Sequence, residues 1–149
     1  MSTPRVDFYV IGSSDARERL EFACRLAEKA WLRGHRVFVR TQSDDETRAF
    51  DDLLWTFHDR SFVPHEVAVP GGLSTAPVVI GTELPQAAAD QLLLNLGADV
   101  PEGYALFARI AEIIDGDALR RQQGRERFRH YRDRGIAPET HNLDDRRET

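Results

Sequence analysis

Apolar and polar residues follow two periodicities in the first part of the chain. The apolar run at 6–11 (VDFYVI) predicts a buried strand, and apolar residues at helical spacing over 20–31 predict a helix that ends at Gly34. A second strand at 36–41 and a second helix capped by Ser43 repeat this order. The order strand, helix, strand, helix is typical of a parallel sheet covered by helices.

The rest of the chain continues the pattern less regularly. Short apolar runs at 77–80 and 92–96 predict two more buried strands, and a helical turn is the alternative for 92–96. The segment 108–114 fits a strand or a helix, and we favour a strand because residues 115–117 then form a turn and a helix cap. A last helix is predicted over about 118–134.

Together these elements predict a single α/β domain in which a mostly parallel sheet is flanked by helices. We assign residues 1–135 to this domain, because Gly135 ends the last predicted helix. Residues 136–149 are polar and include Pro138, so we expect them to form a flexible C-terminal tail.

Composition favours a soluble protein of the cytoplasm. The chain has 149 residues, of which 41% are hydrophobic and 30% charged, and no apolar run reaches the roughly 20 residues that a membrane span needs. The N-terminus lacks a secretory pattern, and the one cysteine, Cys24, excludes an internal disulfide framework. We therefore expect a reducing compartment and no membrane partner.

Charge is unevenly distributed along the chain. The formal net charge is −5, yet residues 119–134 contain seven arginines and two carboxylates. An acidic body with one basic segment attracts anions through that segment, such as nucleic acid, anionic lipid or an acidic peptide. A solvated helix face rich in arginine is the alternative interpretation.

The last predicted helix combines arginines with an aromatic residue. Spacings of three and four place Arg121, Arg125, Phe128 and Arg132 along one side, with Arg129 beside them. Guanidinium groups that flank an aromatic ring suit a peptide with an apolar end and a carboxylate. The same arrangement suits phosphates and a stacked base, and the residues alone do not decide between these ligands.

A second group of aromatic residues surrounds the end of the second predicted helix. Trp55, Phe57 and Phe62 lie close together in the sequence, with Val63 next to them. Such residues belong either to the core or to a binding hot spot at the rim of a domain, and both interpretations stay open.

The sequence contains no convincing catalytic constellation. Residues 12–14 (GSS) lie between a strand and a helix, where phosphates meet backbone N–H groups, but the glycine fingerprints of nucleotide sites are missing. A helix cap is the simpler interpretation. The five histidines lack metal-ligand spacing, and Cys24 has no local basic partner. We therefore predict no metal site and no cofactor.

Several segments spread over almost the whole chain form a more specific pattern. They are VDFYVI at 6–11, AEKAWLRGHRVFV at 27–39, DDLLWTFHDRSFVPHEV at 51–67, APVVIG at 76–81 and RERFRHYRDRG at 125–135. In this order and separation they resemble the chi subunit family of the bacterial DNA polymerase III holoenzyme. The resemblance implies a single domain of Rossmann-like topology without catalytic activity of its own.

The resemblance also implies partners and binding residues. Chi proteins join the clamp loader through the psi subunit and bind the acidic C-terminal tail of single-stranded DNA-binding protein (SSB). By alignment, the residues that face psi fall on Trp55 and Phe62, with Val63 as a neighbour. The residues that bind the tail fall on Arg121, Arg125, Phe128 and Arg129. Arginine and phenylalanine stand here where relatives can have lysine or tyrosine; the guanidinium preserves the charge, and Phe128 preserves the apolar surface but loses a hydroxyl.

We therefore expect a non-enzymatic adaptor of the DNA replication machinery that contacts DNA only indirectly. If psi is absent, the surface at Trp55 and Phe62 serves another clamp-loader component or a helicase-like protein. The first alternative is a direct single-stranded nucleic-acid-binding module that uses the same arginines and Phe128. The second alternative is a small Rossmann-type enzyme that uses the loop at 12–14.

Overall fold

The computed structural model describes residues 3–58, 62–69, 74–85 and 91–143, and strands and α-helices alternate near both ends of this part of the chain. The strands of these residues are β1 (Arg5–Val10), β2 (Arg36–Arg40), β3 (His65–Val67), β4 (Val78–Gly81), β5 (Gln91–Asn95), β6 (Arg109–Ile114) and β7 (Glu139–Asn142). The helices are α1 (Ala16–Leu32), α2 (Asp44–Thr56) and α3 (Ala118–Asp133), and a short 3-10 helix spans Tyr104–Leu106.

The seven described strands belong to one sheet with the order β3-β4-β2-β5-β6-β1-β7. Each pairing among them is parallel. Side chains of α1 and α2 pack on one face of the sheet, and those of α3 pack on the other. This is a Rossmann-like arrangement, so the prediction of a single α/β domain with a mostly parallel sheet is confirmed.

The inner strands are apolar at successive positions because both faces of the sheet are covered. Val37 and Val39 of β2 belong to the core under α1 and α2, whereas Phe38 between them belongs to the core under α3. Successive side chains of a strand point to opposite faces, which explains this division. The strands that we predict at 92–96 and 108–114 are confirmed as β5 and β6.

Capping residues fix where the helices begin and end. Asp15, Ser43 and Asp117 each accept a hydrogen bond from a backbone N–H of the helix turn that follows. Gly34 and Gly135 follow the ends of α1 and α3 with φ of 86° and 83°, a conformation that glycine adopts without strain. None of the helices in the described ranges is long and apolar enough to cross a membrane.

The edge strand β7 was not predicted from the sequence. It lies within residues 136–149, which we expect to form a flexible tail, and it pairs in parallel with β1. Its sequence, ETHN, lacks the apolar alternation that indicates a strand. The division of the chain at residue 135 stays a prediction, and residues 144–149 lie outside the described part.

Candidate functional site

Helix α3 presents a basic surface with one aromatic ring, which we call the α3 basic face (Arg121, Arg125, Phe128 and Arg129). The three arginines are exposed, and Phe128 is half-buried. The Phe128 ring packs against the ring of Phe8 on β1, with 5.2 Å between their centroids. The face therefore combines exposed positive charges with an apolar surface that packs against the sheet.

The charges of the α3 basic face lack acidic partners. In the part of the chain that the structure describes, none of Arg121, Arg125 and Arg129 forms a salt bridge. Arg125 donates from Nη2 to the amide oxygen of Gln122 at 2.8 Å, which is a neutral acceptor. These guanidinium groups are available to an external carboxylate or phosphate.

Other arginines of the same helix are occupied within the fold. Arg120 forms a two-point contact with Asp115, at 2.9 Å from Nε and 2.6 Å from Nη2. Arg127 is buried, donates to Glu112 at 2.8 Å and donates to the carbonyl of Ala98 at 2.9 Å. Sequence reasoning grouped these two arginines with the anion-attracting segment, whereas the structure assigns them to packing.

A buried polar network connects α3 to β6 and β5. The second carboxylate oxygen of Glu112 accepts hydrogen bonds from the Tyr131 hydroxyl at 2.7 Å and from the Asn95 amide at 3.0 Å. Burial, and after it the charge of Glu112, raises the pKa of Tyr131 far above its usual value. The signal in the sequence is the glutamate that stands among the apolar residues Ile110, Ala111, Ile113 and Ile114 of β6.

A close approach of helix and sheet adds to this connection. A Cβ placed on Gly124 would lie 2.2 Å from Cδ1 of Ile114 on β6. Glycine therefore lets α3 lie close to the sheet at the middle of the helix. The close approach and the buried network together orient the α3 basic face outward.

Two exposed aromatic side chains form a second surface, which we call the aromatic patch (Trp55 and Phe62). Trp55 is 53% exposed and Phe62 is 62% exposed. Their ring centroids lie 5.3 Å apart, and the Trp55 ring lies 4.6 Å from the ring of His65. Exposed aromatic rings that contact one another are typical of binding hot spots.

The neighbours of the aromatic patch support it from below. Val63 is 1% exposed and packs in the core under α1 and α2, so its side chain does not face solvent. The ring of His65 is also buried; Nδ1 lies 2.6 Å from the Val63 carbonyl and Nε2 lies 3.2 Å from Asp51. Sequence reasoning did not identify His65 as the residue against which Trp55 packs, with the two rings tilted by 56°.

The two surfaces lie on different sides of the molecule. Trp55 is the penultimate residue of α2, and Phe62 precedes the edge strand β3. Helix α3 packs over β6, on the opposite face of the sheet. The α3 basic face and the aromatic patch therefore share no residue.

One group of side chains has the composition of a metal site. Asp7, Glu139 and His141 bring their donor atoms within 4.8 Å of one another. The guanidinium groups of Arg109 and Arg5, at 3.0 and 3.3 Å, already contact Asp7. Their positive charges oppose a bound cation, so the group is better explained as an ion-pair network that holds β7 against β1.

Two further candidates have structural roles. In the loop at 12–14, the Ser13 hydroxyl accepts from the N–H of Asp15, and the Ser13 carbonyl accepts from the N–H of Gly116. The loop therefore leads into the N-terminal cap of α1, which agrees with the interpretation of residues 12–14 as part of a helix cap. Cys24 is fully buried, and burial raises the pKa of its thiol.

The family model and the relatives that match this chain carry the same description. A family model described as "DNA polymerase III chi subunit, HolC" matches residues 3–139. The DNA polymerase III subunit chi of Pseudomonas aeruginosa is 39% identical over 139 residues, which cover 93% of this chain and 96% of the relative. The subunit chi of Escherichia coli is 25% identical over 134 residues, which cover 87% and 91% of the two chains.

The fold also occurs among solved structures. The crystal structure of T4 UvsW matches with a TM-score of 0.63 and 12% sequence identity. The match covers 96% of this chain and 43% of that chain. At this identity the likeness shows the α/β architecture alone.

Proposed function

The chain belongs to the family of DNA polymerase III chi subunits, which are accessory subunits of DNA replication, and from this premise we propose that it acts as a non-catalytic adaptor. The resemblance predicted from the sequence is confirmed by these relatives. The proposal adds two contacts, one at each surface, that join the clamp loader to SSB.

The first proposed contact is capture of the acidic C-terminal tail of SSB by the α3 basic face. The observation that carries it is the set of three exposed guanidinium groups that have no carboxylate partner within the described residues. Phe128 supplies an apolar surface between them. Guanidinium groups pair bidentately with carboxylates, so an acidic peptide with an apolar end matches both features.

The second proposed contact is docking of the aromatic patch on the clamp loader. Trp55 and Phe62 expose most of their apolar surface to solvent, which is unfavourable unless a partner covers it. The proposed partner is psi or, where psi is absent, another clamp-loader component or a helicase-like protein. Binding at the patch leaves the α3 basic face open.

The mechanism that follows is bivalent tethering. Each contact is modest by itself, but two linked contacts raise the effective concentration of each partner near the other. The acidic body also disfavours bare DNA, since the formal net charge is −5. The protein would then reach DNA only through SSB.

Direct binding of single-stranded nucleic acid is the second candidate. Exposed arginines near an aromatic ring favour it, because such surfaces contact phosphates and stack bases. Against it, the ring of Phe128 is half-buried against Phe8 and offers only part of its surface for stacking. This candidate predicts saturable binding of an oligonucleotide in the absence of SSB.

The test of tail capture is a calorimetric titration with a peptide of about ten residues from the C-terminus of SSB of the same organism. We expect one-to-one binding that weakens about tenfold in Arg125→Ala. Arg134→Ala is the matched control, because it removes the same charge at the C-terminal cap of α3, outside the α3 basic face. Equal weakening in both variants, or no binding at low salt, would contradict tail capture.

A further inference from the structure

A cavity of about 420 Å³ lies between the last turns of α1 and the amino ends of β5 and β6. Helix α1 and its C-terminal cap contribute residues at positions i, i+3, i+4 and i+7, which lie on one side of a helix. They are Leu26, Lys29, Ala30 and Arg33. None of the described residues that line the cavity belongs to the α3 basic face or to the aromatic patch.

The wall of the cavity is largely apolar. Tyr9 of β1, Leu26 of α1 and Leu92 of β5 are half-buried, and each packs against the core under α1 and α2. The short side chains of Ala30 and Ala108 leave the space between these elements open. Sites for small molecules have volumes of roughly 300–1,000 Å³ and mostly apolar walls with a few polar groups, and this cavity has both properties.

The charged groups of the lining are basic. Lys29, Arg33, His35 and Arg109 line the cavity, and no carboxylate does so among the described residues. The guanidinium of Arg109 is already paired with Asp7 at 3.0 Å. Lys29 and Arg33 are exposed, and neither forms a salt bridge in the described part of the chain. Their two charges are therefore available to a ligand.

The end of α1 offsets only part of this positive charge. The carbonyl groups at a helix C-terminus carry roughly half a negative elementary charge, which favours cations nearby. Backbone N–H groups of Arg33, Gly34 and His35 already donate to carbonyls of the last turns. Because Lys29 and Arg33 carry two full charges, an excess of positive charge remains beside the apolar wall.

We propose that the cavity binds a small monocarboxylate with an apolar body. The body contacts Tyr9, Leu26 and Leu92, and the carboxylate binds Lys29 and Arg33. A guanidinium pairs with a carboxylate through two hydrogen bonds, and the lysine ammonium adds a point charge one turn away. A strongly hydrated polyanion fits the apolar wall less well, because it would lose hydration there. This site is independent of the proposed adaptor function.

The probes are octanoate and 1-octanol, which share an apolar chain and differ in the charge of the head group. Each is titrated into the full chain by calorimetry at low salt, and the thermal midpoint is recorded with and without it. We expect saturable one-to-one binding of octanoate. Octanol should bind about tenfold more weakly or worse, because it lacks the charge-assisted hydrogen bonds.

Two exposed arginines at opposite ends of α1 provide a matched pair of substitutions. Arg33→Gln should weaken octanoate binding about tenfold and leave octanol binding unchanged. Arg17→Gln removes the same charge from the first turn of α1, where Arg17 pairs with Glu21 outside the cavity. It should leave the binding of both probes unchanged.

A third substitution tests the apolar part of the site. Ala108 is exposed and lies just before β6, so Ala108→Leu fills the cavity without changing the core. It should weaken the binding of both probes about tenfold or more. The thermal midpoint of the ligand-free protein should stay that of the wild type.

Four results would overturn the proposal. They are the absence of saturable octanoate binding, octanol binding as tight as that of octanoate, equal weakening by Arg17→Gln and Arg33→Gln, and octanoate binding that Ala108→Leu leaves unchanged. Each would show that the cavity, its charge or both do not select a carboxylate.

The tail peptide of SSB separates this site from tail capture, because the peptide also combines carboxylates with an apolar end. Its binding should persist in Arg33→Gln and weaken in Arg125→Ala. Weakening of the peptide in Arg33→Gln would assign the cavity to the peptide and contradict a small-molecule site. Failure of the carboxylate site is therefore distinguishable from failure of the proposed adaptor function.

Discussion

Arg127 on α3 and Glu112 on β6 form an ion pair of 2.8 Å, and their side chains are 6% and 0% exposed. Tyr131 and Asn95 donate to the other oxygen of Glu112, so both carboxylate oxygens have partners. A buried pair with this many hydrogen bonds has one favoured geometry. The pair therefore sets the position of α3 on the sheet and the direction in which its basic face points.

Replacement of Glu112 tests the importance of this pair. Glu112→Gln leaves the guanidinium of Arg127 buried without a counter-charge, and we expect the free energy of unfolding to fall by roughly 3–5 kcal/mol. Urea unfolding measures this change in the free energy of unfolding. Glu126→Gln removes the same charge from an exposed position of α3 and should change stability by about 0.5 kcal/mol or less. Equal effects of the two substitutions would contradict the role assigned to the pair.

Adjacent residues at the aromatic patch should respond in opposite ways. Phe62→Ala removes an exposed ring, so we expect little change in stability but a loss of affinity for the clamp-loader partner. Val63→Ala opens space in the core and should lower the free energy of unfolding by about 1–3 kcal/mol. Denaturant unfolding and capture of the clamp-loader assembly from the same organism measure the two effects. If Phe62→Ala lowered stability without weakening binding, and Val63→Ala weakened binding without lowering stability, the patch would be excluded as the docking surface.

Asp7 makes the fold sensitive to acid. Burial raises the pKa of its carboxyl, but the hydrogen bond from His141 and the charges of Arg109 and Arg5 lower it to below the ordinary 3.8. The unfolded chain therefore binds more protons than the folded one, so stability is present above the ordinary pKa and is lost as pH falls below it. The ion pairs between β7 and β1 weaken in the same range.

The corresponding measurement is urea unfolding of the wild type and of Asp7→Asn over about pH 3 to 6. We expect the wild type to lose stability more steeply on acidification than the variant, which lacks the titrating carboxyl. Asp45→Asn, at an exposed position of α2, should keep the wild-type slope. A slope in Asp7→Asn as steep as in the wild type would show that another carboxyl is responsible.

Tail capture should depend on salt. The guanidinium groups of the α3 basic face are exposed, and exposed charges are screened as ionic strength rises. We expect the affinity for the SSB tail peptide to fall between about 0.05 and 0.3 M salt, and to fall less steeply in Arg125→Ala. An affinity that does not change with salt would indicate that Phe128 carries the binding by apolar contact alone.

The pattern of apolar residues was sufficient to predict the central strands of the sheet. The segments that became β5 and β6 are apolar at successive positions, because helices cover both of their faces. The edge strand β7 could not be predicted in this way, since polar side-chain pairs such as the hydrogen bond between Asp7 and His141 stabilise it. Such pairs depend on contacts between residues that are 134 positions apart.

The arginines of α3 show the limit of sequence reasoning at the site. Arg121 and Arg127 are chemically identical residues of one helix, yet the first is exposed and the second is buried beside Glu112. Only the packing of the helix on the sheet separates them. Similarly, the sequence left Trp55 and Phe62 between core and surface, and the structure exposes both while burying the adjacent Val63.

The proposed adaptor joins two partners through separate surfaces. The most direct measurement is sedimentation of the protein with SSB and the clamp-loader assembly of the same organism. We expect a single species containing all three in the wild type, loss of SSB alone in Arg125→Ala, and loss of the clamp loader alone in Trp55→Ala. If SSB and the clamp loader displace each other from the wild-type protein, the two surfaces do not act as a bridge, and the proposed adaptor function is excluded.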